Sequence, residues 1–214
     1  MSADTDKLIE SLSTGLQPAR PPLSADISAL LWLTASVAFV IGITAWFGPI
    51  RANALGQLAG EPRFLMETAL GVVAIAFTSV MAFRTAVPGA SSRRGVLIGL
   101  GLVLLWLVNY VLDLAHPALE PSMLGKRDHC FVETLLFALP PATLALLLSR
   151  RFYPLRPVYS TALFCLAAAM LPALYMQIAC MYVPAHILQM HILPALLVTL
   201  AGTLCAWGWV SLRR

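Results

Sequence analysis

Residues 27–47 read ISALLWLTASVAFVIGITAWF, twenty-one positions without one Asp, Glu, Lys or Arg, closed by Gly48-Pro49. A bilayer core of about 30 Å is crossed by a helix of about 20 apolar residues. This run therefore predicts a membrane-spanning helix, and five more follow along the chain. They are Phe64 to Phe83, with Glu67 and Thr68 in the first turn, then Gly95 to Leu114, and Cys130 to Leu148 with a Pro140-Pro141 pair. The last two are Val158 to Met176, with Pro172 near its end, and Ala185 to Val210, with Pro194 inside. The expectation is an all-α polytopic membrane protein, a bundle of six transmembrane helices. Prolines inside such helices are tolerated where neighbours or waters satisfy the freed carbonyls, so kinks are expected at all three places.

Composition agrees. Of 214 residues, 59% are hydrophobic and 11% charged, whereas soluble domains carry about 25% charged residues. The net charge of +4 does not point to nucleic acid, because the basic residues sit in short clusters between apolar runs. The polar N-terminus predicts no cleavable leader. Orientation follows from Lys and Arg, which are enriched on the cytoplasmic side. Lys7, Arg20, Arg84, Arg93, Arg94, Arg150, Arg151, Arg156, Arg213 and Arg214 fall on one side, against Arg51, Arg63, Lys126 and Arg127 on the other. Both termini are expected to be cytoplasmic.

Two domains are expected: a cytoplasmic segment at 1–25 and the transmembrane domain at 26–214. In the first, Leu8, Ile9, Leu12 and Leu16 recur at helical spacing. Asp4 or Thr5 is a candidate cap and Gly15 a candidate end. A helix this short is marginal alone.

The stretch Tyr175 to His191, YMQIACMYVPAHILQMH, gathers one cysteine, two histidines and three methionines without a charged Asp, Glu, Lys or Arg. The six-span arrangement puts Cys130, Cys180 and all four histidines, His116, His129, His186 and His191, at or near the non-cytoplasmic face. Thiolate and thioether sulfurs select soft ions such as Cu(I), and imidazole suits copper and zinc. Cys130, Cys180 and His186, with His129, His191 and Met181 nearby, form a candidate site. Helical spacing pairs Met176 with Cys180 and His186 with Met190. Cys130 and Cys180 could equally form a disulfide outside the cytoplasm; the sequence leaves both chemistries open. Cys165 and Cys205 lie deeper and are expected to be apolar fillers. Glu67 and Glu133 fall just inside spans, where ionisable residues are functional candidates. Asn109 and Asp113, four apart, are expected to make a polar contact. No HExxH, CxxC, Walker loop or nucleophile elbow occurs, so no enzyme is expected and no obligatory cofactor is implied.

The polar segment ending Arg20-Pro21-Pro22, the fourth run CFVETLLFALPPATLALLLSRR leading to PLRPVYSTAL, the fifth closing on ALYMQIAC and the sixth reading HILQMHILPALLVTLAG together resemble the NrsF family. These are six-span inner-membrane anti-sigma factors acting on extracytoplasmic-function sigma factors. The resemblance implies that the N-terminal segment holds the sigma factor, with Leu8, Ile9, Leu12 and Leu16 as anchors in a hydrophobic groove. It implies that Cys130 and Cys180 sense periplasmic metal or oxidative stress. The family's second cysteine is commonly followed by an acidic stretch of the form HCPEDSP. Here the residues are ACMYVPAH, which lack the acids a carboxylate ligand would need and leave a soft-metal reading, copper for instance, open beside the oxidative one. The implied partners are a sigma factor and the lipid bilayer, with no direct contact to nucleic acid; homodimerisation is left open. Two rivals remain: a metal-handling permease, which would want polar residues in mid-bundle, and a quinone-linked membrane thiol oxidoreductase, which would want a cycling cysteine pair.

Overall fold

Each apolar run becomes a helix in the computed structural model, which describes residues 3–14 and 23–213. The helices are α1 (Ala3–Ser13), α2 (Ala25–Phe47), α3 (Ala54–Gly60), α4 (Pro62–Ala86), α5 (Arg93–Leu112), α6 (Cys130–Ser149), α7 (Pro157–Ala179), α8 (Pro184–Ile187) and α9 (Leu193–Ser211). Among the described residues, six stretches are long and apolar enough to cross a membrane: Ala25–Phe47, Pro62–Ala86, Arg93–Leu112, Cys130–Phe152, Pro157–Ala179 and Pro184–Ser211. The short α3 was not expected. It fills the connection between the first two spans and buries Ala54.

The fifth span is the axis of the bundle, 78% buried along its most apolar window. Ala167, Ala168, Ala169 and Ala173 have no exposed surface. Small side chains let neighbouring backbones approach, which is how helices associate where lipid removes the hydrophobic drive. Cys165 is buried among them as expected, but Cys205 is exposed on α9. In a bilayer an outward apolar position reads like an inward one, so sequence alone does not separate the two.

The prolines act differently from one another. Helix α6 runs unbroken through Pro140 and Pro141, and α7 through Pro172. The carbonyl of Pro141 accepts a bond from Trp32 Nε1 of α2 at 2.9 Å. The sixth span instead widens into a π turn over Leu188–Ile192, directly before Pro194. Proline lacks an N–H and its ring clashes with the carbonyl four residues back. A π turn at that place moves the carbonyl away.

Two rims result. At one, Arg84 of α4 binds Asp26 of α2 through Nε at 2.7 Å and Nη2 at 2.8 Å, and Ser160 of α7 donates to the Thr85 carbonyl at 3.2 Å. The other rim carries the connections 48–61, 113–129 and 180–183. Of the sigma-anchor candidates, Leu8, Ile9 and Leu12 are exposed on α1; Leu16 and Gly15 lie outside the described residues. Helix α1 begins at Ala3, so Asp4 and Thr5 sit in its first turn and not at its cap.

Candidate functional site

Cys130 is the first residue of α6, and Cys180 is the first residue past α7. Cys180 leaves the helix extended while its N–H still bonds the Met176 carbonyl at 2.8 Å. The chain then runs to Tyr182, whose carbonyl accepts from the Ser122 N–H at 2.9 Å. This directs Cys180 toward the start of α6. The two Sγ atoms lie 2.8 Å apart, and both thiols are free. The Cys130 thiol also reaches the Arg127 carbonyl at 3.3 Å.

Two imidazoles complete the group. His186 Nε2 stands 3.5 Å from Cys180 Sγ. The His191 ring meets the His186 ring edge-on, centroids 5.2 Å apart. The ligand atoms of Cys130, Cys180, His186 and His191 all lie within 4.8 Å of one another. His191 has no exposed surface, and among the described residues neither ring nitrogen has a hydrogen-bond partner. The π turn explains this pairing. The wider turn over Leu188–Ile192 brings His191 round to the side of His186, while Met190 stays on the cleft that His186 lines.

The remaining candidates divide. Met181 is buried against the two cysteines together with Met176. His129 is the N-cap of α6, exposed, and outside the four-atom group. Its position at the helix start points it to the mouth of a surface cleft, which Cys130, Met181, His186 and Met190 also line. Two sulfurs and two imidazoles fit a tetrahedral zinc-type set and equally a soft ion. The contact with Cys130 holds the Cys180 thiol below the ordinary thiol range, and His186 and His191 add to that pull against the effect of burial.

A polar cage anchors the segment around Cys180. Arg51 donates its backbone N–H to Ala179 O at 2.9 Å. Its buried guanidinium stacks over Phe64 and Tyr182, 5.7 and 5.9 Å from the ring centres. The Tyr182 hydroxyl donates to Asp113 at 3.3 Å and accepts from the Ala118 N–H at 3.1 Å. Arg63 binds Asp113 at 2.8 Å and lies 3.5 Å from Glu67. The Asp113 carboxylate thus turns to Arg63 and Tyr182 in place of the expected Asn109; only its N–H bonds the Asn109 carbonyl. Burial raises the Asp113 carboxyl above its usual range. Glu67 and Glu133 both fall inside spans as expected. In the sequence Arg51 and Arg63 stand out only as charges on the less basic side. Arg63 preceding Glu67 by four positions was the available signal.

Gly125 closes this cage with φ at 78°, and a Cβ there would meet the Arg51 Cβ at 2.8 Å and Cα at 3.0 Å. Gly125→Ala is expected to cost about 1–3 kcal/mol, the usual penalty for a left-handed non-glycine residue. Thermal unfolding in micelles checks this; an unchanged midpoint contradicts it.

A family profile described as the negative regulator of sigma F matches residues 12–212. The chain belongs to the NrsF family. Membership makes it a negative regulator of a sigma factor, with that factor as its partner. The matched range takes in both cysteines and all four histidines, and it includes Leu12 but not Leu8 or Ile9. No curated protein and no solved structure matches the chain.

Proposed function

We propose that this NrsF-family protein is an inner-membrane anti-sigma factor for an extracytoplasmic-function sigma factor, released by metal or oxidant at the Cys130–Cys180 pair. The carrying observation is the convergence of Cys130, Cys180, His186 and His191 within 4.8 Å, at the rim opposite the Asp26–Arg84 pair. The excess of Lys and Arg on the Asp26–Arg84 side supports cytoplasmic termini and a periplasmic centre. Residues 1–25 are the sigma-binding segment and residues 26–214 the membrane domain.

A soft ion such as copper would take the two sulfurs and the two imidazoles as ligands, and the thiols would give up their protons. His129 and Met181 lie along its approach. Hydrogen peroxide would instead take two electrons and two protons from the thiol pair: one S–S bond forms, the O–O bond breaks and two waters leave. Either event ties the start of α6 to the end of α7. A signal shifts the bound state only by favouring one conformation over the other. A tenfold fall in sigma affinity corresponds to about 1.4 kcal/mol of coupling.

The test is Cys130→Ser with Cys180→Ser in cells carrying a sigma-dependent reporter. Copper and peroxide are expected to induce the wild type and not the variant, while repression without signal persists. Normal induction of the variant by either agent overturns the sensing role for that agent.

A further inference from the structure

At the Asp26–Arg84 rim, away from the cysteines, a cleft of about 650 Å³ opens between the start of α5 and the segment leading into α7. Arg93, Arg156 and Tyr159 form its polar mouth, and Leu97, Leu100 and Leu155 its apolar wall. All six side chains are exposed. Among the described residues, neither arginine has an ion-pair partner, nor do neighbouring Arg94, Arg150 and Arg151. Asp26, a carboxylate at this rim, is already bound by Arg84. The cleft is therefore positive and not neutralised from within the bundle.

We propose that this cleft binds the headgroup phosphate of an anionic phospholipid, with an acyl chain laid along Leu97 and Leu100. Three features favour lipid over a protein ligand. The apolar wall does not stop at the mouth: Leu97 and Leu100 are one turn apart and continue down the outward face of α5. That span is only 28% buried along its apolar window, so the cleft opens sideways into the bilayer, where a soluble protein does not reach. Tyr159 stands at the level of the two arginines, where amphipathic rings and headgroups meet. Basic pockets between spans are suited to anionic headgroups in this way.

The test uses the full chain, purified in mild detergent and delipidated, titrated with phosphatidylglycerol or phosphatidylcholine and read by native mass spectrometry. Arg93→Gln with Arg156→Gln is compared with Arg150→Gln with Arg151→Gln, an equal charge change at the same rim outside the cleft. Phosphatidylglycerol affinity is expected to fall on the order of tenfold in the first pair and to hold in the second. Phosphatidylcholine should bind weakly throughout. Leu155→Glu, which adds a repulsive charge on an exposed wall, should repeat the loss. Equal phosphatidylglycerol affinity in all variants overturns the proposal, as does an equal loss in both arginine pairs. Loss of sigma-factor capture with lipid affinity intact reassigns the cleft to protein docking and also overturns it.

Discussion

Replacing Arg127 by Met is expected to cost about 3–5 kcal/mol of unfolding free energy, the loss typical of removing one partner from a buried ion pair. Arg127 is 8% exposed. Its Nε binds Glu133 at 2.8 Å, Nη1 donates to the Pro49 carbonyl at 3.1 Å and Nη2 to the Thr44 carbonyl at 3.2 Å. The last carbonyls of a helix have no partner within it. Here one guanidinium serves the end of α2 and the first turn of α6 at once. A Cβ on Gly48 would sit 3.0 Å from Nη1, so glycine clears the approach. Methionine keeps the stem and leaves two carbonyls and a carboxylate unpaired. Lysine keeps the charge but loses the fork, and should fall between. Denaturant unfolding in micelles reads the order wild type, Arg127→Lys, Arg127→Met. A methionine variant as stable as wild type removes the argument.

The same residue joins the cysteine centre to α2, the helix that follows the N-terminal segment. The Arg127 carbonyl accepts from the Cys130 thiol, while its side chain holds the end of α2. Under the proposed function, an event that removes the Cys130 proton also removes this bond. Helix α2 is tied to α6 twice more, by Trp32 to the Pro141 carbonyl and by the Phe47–Phe137 ring contact at 5.4 Å. Motion at the start of α6 is thereby carried to the helix that follows the N-terminal arm.

The six spans were readable because each is a long apolar run with at most one charged residue, a signal that needs no knowledge of neighbours. The inward face of each span was not readable. Lipid and core are both apolar, so nothing along α9 distinguished exposed Cys205 from a packed residue. The cysteine pair was legible as two sulfurs at the same ends of adjacent spans. His191 was legible as a candidate ligand beside it, but its approach to His186 was not, because α-helical spacing pairs His186 with Met190 and the π turn before Pro194 changes that spacing. The cage of Arg51, Arg63, Asp113 and Tyr182 joins residues 50 to 69 positions apart in its side-chain bonds. No local pattern reports such pairs.

Leu12→Asp is expected to lower sigma-factor binding on the order of a hundredfold, since burying a leucine contributes about 1.5–3 kcal/mol and a buried carboxylate costs more. Leu8, Ile9 and Leu12 are 58%, 53% and 66% exposed on α1, three large apolar side chains on one face of an eleven-residue helix. Single exposed apolar residues need no explanation, but a shared face marks a contact. A helix of this length is marginal alone, so docking and ordering support each other. The family match takes in Leu12 and Leu16 but not Leu8 or Ile9. Because Leu12 is exposed, its replacement leaves the bundle intact, and unfolding of the membrane domain serves as the control. Lys7, on the opposite face, supplies the second control: Lys7→Gln should leave binding unchanged. The measurement is capture of co-expressed sigma F from the same genome by the tagged full chain, alongside reporter output without signal. Capture should vanish and output rise to the fully induced level in Leu12→Asp alone. If Leu12→Asp still retains the sigma factor, the apolar face of α1 is not the anchor and the partner is held elsewhere.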